Sequence, residues 1–481
     1  MGFPLYLATY SLPCRPMSLT LEQLQERHGA RYKWMVLLTV MIGSMAAIMS
    51  STIVNVAIPD LSRYFTLGQE RAQWVSASFM LAMTLSMLTT PWLLLRHGLR
   101  KTYTGAVLLL LAGGVIGGLS VNYPMLLAMR VVEGLASGIL QPIPAIVILR
   151  MFGSSEQGRA MGIFGFGVVL APAVGPSIGG FLVEYFGWRS IFFVVVPFCL
   201  LVLVLIRRFL AHNAPTKDTI QALDWKGLLL VGIGSVSLLN GLVHLHDDWI
   251  QAGALLGIGL ASLCGFVVYQ LHAKQPLINL ALFGYRQFAM GALVAFIYGI
   301  GLFGSTYLLP VYMQIGLHYP PSQAGLVLLP AGIVLAITIW ISGKLVDRYP
   351  PNVLVAIGLA LLALSFALMA LGTHNTGFFR LTILAIIGRI GLGLVLPSLS
   401  LGSMRGVDDS LIAQGSTVIN FVRQLGGAIG VSLVGIVLEW RLAVHRGGSV
   451  LAAFNETFLC VAAICAIAVL AAWRMRPRGV A

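Results

Sequence analysis

The sequence predicts an all-α polytopic membrane protein, on the basis of three observations. Of its 481 residues 58% are hydrophobic and only 10% are charged, whereas a soluble domain usually contains about 25% charged residues. The mean hydropathy is +0.91. The apolar residues fall in long runs of about 20, the length that a helix needs to cross a bilayer. Together these features exclude an ordinary soluble protein.

The apolar runs are regular enough to be counted. They predict fourteen transmembrane helices, with both termini on the same face of the membrane. The predicted spans are 35–58, 73–95, 103–121, 125–149, 160–182, 190–208, 226–243, 252–270, 289–313, 323–343, 353–372, 380–403, 412–438 and 457–473.

Lysine and arginine predict the orientation, because cytoplasmic segments are enriched in both. With the termini inside, the cytoplasmic segments contain 21 of the 30 Lys and Arg residues and the outer segments contain six. Three more, Arg130, Arg389 and Arg423, fall within spans. Both termini are therefore expected in the cytoplasm, with the N-terminus starting at Met1 or at Met17.

Several function classes are excluded by what the sequence lacks. The net charge is +14, but the basic residues are scattered and form no stripe interleaved with aromatics, so nucleic-acid binding is not expected. The sequence contains no Walker A motif, so ATP is not the expected energy source. It contains no cluster of His, Asp and Glu at one membrane face, so an enzyme is not expected. The five cysteines have no paired spacing, so no metal and no cofactor is expected. HLHDDW (244–249) could bind a metal, but a polar turn explains it as well.

The two ends of the chain contain similar segments. LLLRHGLRK (93–101) has a counterpart in GKLVDRYPPN (343–352), and RVVEGLASGILQP (130–142) has one in RIGLGLVLP (389–397). Duplicated bundles with a substrate site between them are common in transporters. The expected organisation is a cytoplasmic segment (1–33), a six-helix bundle (34–208), a linker with two inserted helices (209–288), a second six-helix bundle (289–474) and a cytoplasmic tail (475–481).

These segments resemble motifs of the major facilitator superfamily (MFS), specifically the fourteen-span drug:proton antiporters of the EmrB/QacA type. SSTIVNVAIPDL (50–61) resembles the first-helix motif, which contains Asn55, and Arg130 resembles the fourth-helix arginine. The gate motif is represented twice, by Arg96, Gly98 and Arg100 and by Gly343, Asp347 and Arg348. NFVRQLGGAIGVSL (420–433) resembles the eleventh helix of the EmrB branch. The resemblance runs from residue 33 to residue 475.

The resemblance implies secondary export of hydrophobic, often cationic compounds in exchange for protons, in a bacterial inner membrane. A periplasmic adaptor and an outer-membrane channel are partners in the EmrB branch, whereas transporters like QacA work alone. Two departures affect the mechanism. Ser50 stands where the family has an aspartate, and Leu95 and Arg96 stand where it has Asp-Arg. A dedicated metabolite exporter or an uncoupled facilitator of the same fold is therefore the alternative.

GPSIGG (175–180) matches the GPxxGG antiporter motif, with Gly175, Pro176, Gly179 and Gly180 as its defining residues. Gly175 and Gly179 are four residues apart, so they share a face on which another helix can approach closely. By resemblance that helix is the tenth span (325–343), across the seam between the two bundles. A gating role and simple static packing are both consistent with this pattern.

A charge at membrane depth is a functional hypothesis by default. Arg389 and Arg423, with Asn420, Gln424 and Asn55, are expected to face an interior cavity, where the arginines bind substrate anions, pair with a carboxylate or bond to carbonyl groups between helices. The remaining cavity wall is expected to consist of aromatic and methionine side chains, namely Met80, Met83, Met87, Phe164, Phe166, Phe296, Tyr298 and Tyr307.

Glu133 is the one acidic residue predicted to lie inside a span. It follows Arg130 by three residues, so the two side chains share a helix face and can pair. Burial and a neighbouring arginine act in opposite directions on a carboxyl group, which suits a group that binds and releases a proton. The hypothesis is that Glu133 replaces the missing first-helix carboxylate. The alternative is a fixed ion pair that orders the helix.

Overall fold

The computed structural model describes residues 21–67, 69–211, 222–245, 248–373, 376–445 and 449–475. The regular elements in these ranges are helices. Those up to residue 209 form a first group: α1 (Leu21–His28), α2 (Tyr32–Tyr64), α3 (Gln69–Met87), α4 (Thr90–Gly118), α5 (Tyr123–Leu140), α6 (Ile143–Met151), α7 (Gln157–Phe186), α8 (Ser190–Phe193) and α9 (Val195–Phe209).

A helix pair and a second group follow. The pair is α10 (Trp225–Val243) and α11 (Trp249–His272). The second group is α12 (Arg286–Val311), α13 (Pro321–Val346), α14 (Pro351–Met369), α15 (Phe378–Gly402), α16 (Ile412–Val444) and α17 (Val450–Arg474).

Twelve helices in the described ranges are long and apolar enough to cross a membrane, so the prediction of fourteen spans is wrong. The predicted span 73–95 is interrupted, because α3 ends at Met87 and α4 begins at Thr90, with its second residue a proline. The apolar part of α3 is only Trp74–Met87, shorter than a span requires. The predicted span 160–182 lies within α7, which is not among the twelve; the side chains at 173, 174, 176 and 177 are outside the description.

Each helix group has its own apolar core. In the first group the core lies between α2, α4, α5 and α9 and contains large buried side chains such as Tyr103 and Leu110. In the second group it lies between α12, α14, α15 and α17 and is rich in aromatics, with Tyr312, Phe366 and Phe458 fully buried. Aromatic rings contribute the largest areas to such cores.

The inserted pair is a helical hairpin closed by small residues. A Cβ atom added at Gly259 would lie 2.8 Å from the backbone nitrogen of Leu238, so α11 lies directly against α10 at that level. Asp248 caps α11 by accepting hydrogen bonds from the backbone nitrogens of Ile250 (3.0 Å) and Gln251 (3.1 Å), a standard helix-capping contact. His244 of HLHDDW lies with its Nδ1 atom 2.9 Å from the carbonyl oxygen of Asn240, and His246 and Asp247 lie outside the described residues.

The outer surfaces of the helices are apolar. Leu229 on α10, Leu260 on α11 and Leu470 on α17 are each more than 60% exposed. Large exposed apolar surfaces of this kind suit a lipid environment rather than water. Together with the twelve long apolar helices, they make this a multi-pass membrane protein.

Candidate functional site

The predicted pairing of Arg130 with Glu133 is present, and both side chains are buried on α5. Arg130 Nη1 donates a hydrogen bond to Glu133 Oε2 at 2.6 Å, and the two side chains are 0% and 1% exposed. Gly113 of α4 makes room for the acid, since a Cβ atom there would lie 2.6 Å from Glu133 Cγ. The pair is therefore sealed between α4 and α5, away from water.

Helices α2 and α3 hold the arginine from the other side. Arg130 Nε donates to the carbonyl oxygen of Val75 at 3.1 Å, and Nη1 also approaches the Ser50 carbonyl oxygen at 3.3 Å. The guanidinium carbon lies 4.2 Å from the centre of the Phe79 ring, within the range of a cation–π interaction. The rigid fork of an arginine makes contacts to several helices that a lysine could not reproduce.

Ser50 lies against the same guanidinium nitrogen as Glu133. Its Oγ atom is 3.2 Å from Arg130 Nη1. The resembled family has its first-helix aspartate at the position of Ser50. A carboxylate at position 50 and the carboxylate of Glu133 would therefore both lie next to Arg130 Nη1.

The pair is incompletely bonded. Glu133 Oε1 and Arg130 Nη2 are buried without a hydrogen-bond partner among the described residues. A buried polar atom without a partner costs about 1–3 kcal/mol. In a fixed structural ion pair the remaining atoms are usually satisfied by further hydrogen bonds, and here they are not.

The second helix group contains two arginines near the middle of the membrane. Arg389 on α15 and Arg423 on α16 each lie eleven residues after the start of their helix, about 17 Å along it. Tyr298 of α12 is near both helices: its hydroxyl donates to the carbonyl oxygen of Leu392 on α15 at 3.3 Å, and the adjacent Gly299 lies against the backbone of Arg423 on α16. Both arginines are partly exposed, so they are not enclosed in the packed core of the second group.

Of the polar residues predicted to share a cavity with these arginines, two lie beside Arg423 and one lies elsewhere. Asn420 Oδ1 accepts a hydrogen bond from Arg423 Nη2 at 2.8 Å, and Gln424 is partly exposed beside it. Asn55 lies apart from this cluster, on α2, where its Oδ1 accepts from Ser76 Oγ at 2.7 Å. Of the side chains expected to form the cavity wall, Met83, Met87 and Tyr298 are buried in packed cores instead, whereas Met80, Phe166 and Tyr307 are exposed.

Asp347 connects the two helix groups. It follows α13 and accepts hydrogen bonds from the backbone nitrogens of Gly158 (2.7 Å) and Arg159 (2.9 Å), at the start of α7. A carboxylate is favoured at a helix N-terminus by the free N–H groups and by the helix dipole. Partial burial raises the pKa of Asp347, and the two backbone donors oppose that effect. We call the membrane face with this contact the gate face.

Small residues allow α7 and α13 to contact each other beside Asp347. A Cβ atom at Gly343 of α13 would lie 2.5 Å from the Cα atom of Gly162 of α7, and one at Gly158 would meet the Gly343 carbonyl oxygen. In contrast, Gly325 and Gly332 of α13 have no atom within 4 Å of an added Cβ. The backbone contact through these glycines is therefore at the gate face. Arg348 is exposed there and forms no ion pair in the described part of the chain.

The N-terminal copy of the gate motif is built differently. Gly98 bends α4 sharply at φ 73° and ψ 168°, a conformation that suits glycine. Arg96 lies over the Trp92 ring at 5.2 Å, and Arg100 contributes its carbonyl oxygen to Thr104 Oγ1 at 2.7 Å. A cavity of about 170 Å³ beside Arg96 is lined by the start of α4, by the segments before α10 (222–224) and after α11 (275–277), and by Gln414 of α16.

The predicted partner of GPSIGG is wrong. A Cβ atom at Gly179 would lie 2.7 Å from Ile53 Cγ1, one at Gly175 would lie 3.1 Å from Thr52 Oγ1, and Gly180 faces Val56. These three contacts are all to α2, within the same helix group. Helix α7 does pack along α13, but its glycines do so at residues 158–165. The side chain of Pro176 is outside the described part.

Comparison with known proteins identifies the family. The model of the Major Facilitator Superfamily matches residues 40–431, most of the chain. The chain belongs to the Major Facilitator Superfamily. Proteins of this superfamily are transporters, so the chain is a transporter and not an enzyme.

Relatives of this transporter include named drug-resistance proteins. It is 31% identical to the Multidrug resistance protein B homolog of Mycobacterium tuberculosis (strain ATCC 25618 / H37Rv), over 83% of this chain and 75% of that protein. It is 30% identical to the uncharacterized MFS-type transporter YhcA of Bacillus subtilis (strain 168), over 87% of this chain and 79% of that protein. Among solved structures, the proton:xylose symporter XylE superposes with a TM-score of 0.65 at 13% identity, covering 92% of this chain and 95% of that one, which shows the shared superfamily fold.

Two parts of the transporter's site were not expected from the sequence. Phe79 precedes Arg130 by 51 positions, and no local pattern pairs them. The donors to Asp347, which are the backbone N–H groups of Gly158 and Arg159, were also missed, although their signal is present: the polar segment GSSEQGR (153–159) before a long apolar run is typical of a helix start. A helix start is where an external carboxylate finds free N–H donors.

Proposed function

We propose that this transporter is a secondary active multidrug exporter, which moves hydrophobic compounds out of a bacterial cell in exchange for protons by alternating access. Its relatives named for multidrug resistance support export of drugs. The sequence leads us to expect cationic compounds among the substrates. The energy source is the proton gradient across the inner membrane.

The observation that carries the proton coupling is the incompletely bonded pair of Glu133 and Arg130. When Glu133 is protonated it no longer attracts the arginine as strongly, and Arg130 keeps its contacts to Ser50 and Val75. Glu133 is sealed from water, so proton exchange requires a second conformation in which α4 and α5 open. A carboxyl group that is sealed in one state and accessible in another couples protonation to the conformational change.

Alternating access requires a contact between the helix groups that can break and reform. The gate-face contact combines the hydrogen bonds of Asp347 to the start of α7 with the backbone contact of Gly343 against Gly162. We place the gate face in the cytoplasm, because basic residues surround it: Lys33, Arg159, Lys344, Arg348 and Arg405. With the gate face closed, the substrate site faces away from the cytoplasm.

Gradient-driven transport by purified protein tests this function. Liposomes with an acidic interior contain the protein, and a permanently cationic lipophilic dye is added outside. The proposal predicts dye uptake that stops when an ionophore collapses the pH gradient and that is absent from liposomes without protein. Uptake that runs only down the dye gradient, with or without the ionophore, would favour the uncoupled facilitator, which Ser50 in place of the family's aspartate supports.

We propose that the protein transports on its own in liposomes, without the periplasmic adaptor and the outer-membrane channel that are partners in the EmrB branch. The same assay tests this, since no other protein is added.

A further inference from the structure

The two helix groups differ in whether the arginines inside their membrane-spanning helices are paired with an acid. In the first group Arg130 is neutralised by Glu133 at 2.6 Å. In the second group Arg389 forms no hydrogen bond and no ion pair with any described residue, and Arg423 is bonded only to the neutral side chain of Asn420. The second group therefore holds two uncompensated positive charges.

The second helix group itself provides no acid to neutralise them. Residues 289–481 contain five acidic residues: Asp347, Asp408, Asp409, Glu439 and Glu456. Asp347 accepts from the start of α7, Asp408 from Tyr285, and Glu456 pairs with Arg441. Glu439 follows Arg423 by sixteen residues on the same helix, about 24 Å away. None of these lies at the depth of the arginines.

The two arginines lie at one level beside α12. Tyr298 bonds to α15 through Leu392, one turn after Arg389. Its neighbour Gly299 is in contact with α16, because a Cβ atom there would meet the carbonyl oxygen of Arg423. Consecutive residues of α12 therefore touch the two helices next to the two arginines, which fixes Arg389 and Arg423 at the same depth.

The position of Arg423 is rigid. Gly426 and Gly430 of α16 lie directly against α12: a Cβ atom at Gly430 would be 2.6 Å from the Cα atom of Ile300, and one at Gly426 would meet the carbonyl oxygen of Phe296. Such small-residue contacts hold membrane helices closely together. The backbone that carries Arg423 is accordingly held against α12, and Phe296 and Phe303 of α12 lie against the following residues of α16, Gly426 and Gly427.

We infer that the substrate bound at this site is an amphipathic organic anion, whose carboxylate group binds between Arg389 and Arg423 while its hydrophobic part contacts the neighbouring aromatic side chains. Guanidinium groups bind carboxylates through paired, charge-assisted hydrogen bonds. A cation at the same place would be repelled by two positive charges in a medium of low dielectric constant. The inference rests on the proposed function and assigns an anion to this site, so the cationic compounds expected as substrates must bind elsewhere in the transporter.

A matched pair of probes tests the substrate class. Pyrenebutyric acid is an anion at neutral pH, and its methyl ester has the same hydrophobic part without the charge. Binding of each to the purified protein in uncharged detergent is measured by energy transfer from tryptophan to pyrene. The variants are Arg389→Gln and Arg423→Gln. The control is Arg380→Gln, which removes an exposed arginine from the same helix as Arg389.

The inference predicts that the wild-type protein binds the acid at least tenfold more tightly than the ester. Each of the two variants should weaken binding of the acid about tenfold to a hundredfold, the usual effect of losing hydrogen bonds to a charged group. Binding of the ester should be unchanged in both, which also shows that the cavity is still folded. Equal affinity of the wild type for acid and ester, or unchanged binding of the acid by both variants, would overturn the inference.

Two further outcomes separate the possible failures. If phosphatidylglycerol displaces the acid at equimolar concentration, the bound anion is a lipid headgroup, and the assignment of a soluble substrate is overturned. If the acid binds as predicted but a proton gradient moves neither probe into liposomes, the proposed function fails and the assigned ligand class stands.

Discussion

Ser50 Oγ and Glu133 Oε2 contact the same nitrogen of Arg130, at 3.2 Å and 2.6 Å. The two residues come from different helices, α2 and α5, and are 83 positions apart in the chain. A carboxylate at either position would pair with the same guanidinium group. This geometry is the basis for proposing that Glu133 does the work of an acid that the resembled family places on its first helix.

A double-mutant cycle distinguishes a proton carrier from a fixed ion pair. Glu133→Leu leaves Arg130 buried without its partner and should lower the free energy of unfolding by about 3–5 kcal/mol. Arg130→Met combined with Glu133→Leu replaces both charges by apolar groups and should recover most of that loss. Chemical unfolding in detergent measures both. The double variant should remain unable to use a proton gradient, and wild-type transport by that stable double variant would mean that the pair is purely structural.

The gate-face carboxylate should be needed for closure. Asp347→Asn removes the negative charge that interacts favourably with the N-terminus of α7. It thereby weakens the charge-assisted hydrogen bonds from the backbone N–H groups of Gly158 and Arg159. We expect transport about tenfold slower, corresponding to roughly 1.5 kcal/mol. Spin labels at Ser155 and Tyr349, in a background without native cysteines, should show a longer distance across the gate face. Asp408→Asn is the control, because Asp408 bonds within its own helix group to Tyr285.

Two glycines of α13 give a matched test of the gate-face contact. Gly343→Ala places a Cβ atom 2.5 Å from the Cα atom of Gly162 on α7, so the two backbones can no longer touch. Gly332→Ala places one in open space on the same helix. Both substitutions favour the helical state to the same degree. We expect the first to abolish transport while the protein is still produced, and the second to transport like wild type; equal activity of the two variants would argue against a backbone contact at the gate.

The antiporter motif offers a second matched pair, on adjacent residues. A Cβ atom at Gly179 would be 2.7 Å from Ile53 Cγ1, whereas at Gly180 the nearest atom is Val56 Cγ1 at 4.0 Å. Gly179→Ala should therefore force α7 away from α2. We expect the free energy of unfolding to fall by about 1–3 kcal/mol, the usual cost of overpacking, and transport to become slower. Gly180→Ala should have little effect on either. Thermal unfolding of the two purified variants decides this, and the opposite order would place the motif against a different helix.

The sequence predicted the charged pair and misplaced the glycine motif for the same physical reason. Arg130 and Glu133 are three residues apart, so helix geometry alone brings them together. Gly175 and Gly179 share a face by the same geometry, but periodicity does not identify the helix that covers that face. The structure places Ile53 there instead of the tenth predicted span. Local spacing determines which residues share a face, and tertiary packing determines what lies opposite.

The number of spans was overestimated for a related reason. Leu88 and Thr89 carry no charge, so the run 73–95 was predicted to be one helix, whereas α3 ends at Met87 and α4 starts at Thr90. At the break, Thr90 Oγ1 donates to the carbonyl oxygen of Ile139 on α5 at 3.3 Å, and Pro91 follows in α4. A contact between residues 49 positions apart leaves no signal in a local hydropathy pattern.

The most direct test of the account moves the carboxylate from one side of Arg130 to the other. Liposomes that contain a pH-sensitive dye report proton movement when substrate is added to the wild-type protein, to Glu133→Gln, and to the double variant Ser50→Asp with Glu133→Gln. The account predicts proton exchange in the wild type, none in Glu133→Gln, and its return in the double variant, because an aspartate at position 50 adjoins the same guanidinium nitrogen. Proton exchange in Glu133→Gln equal to that of the wild type would contradict it.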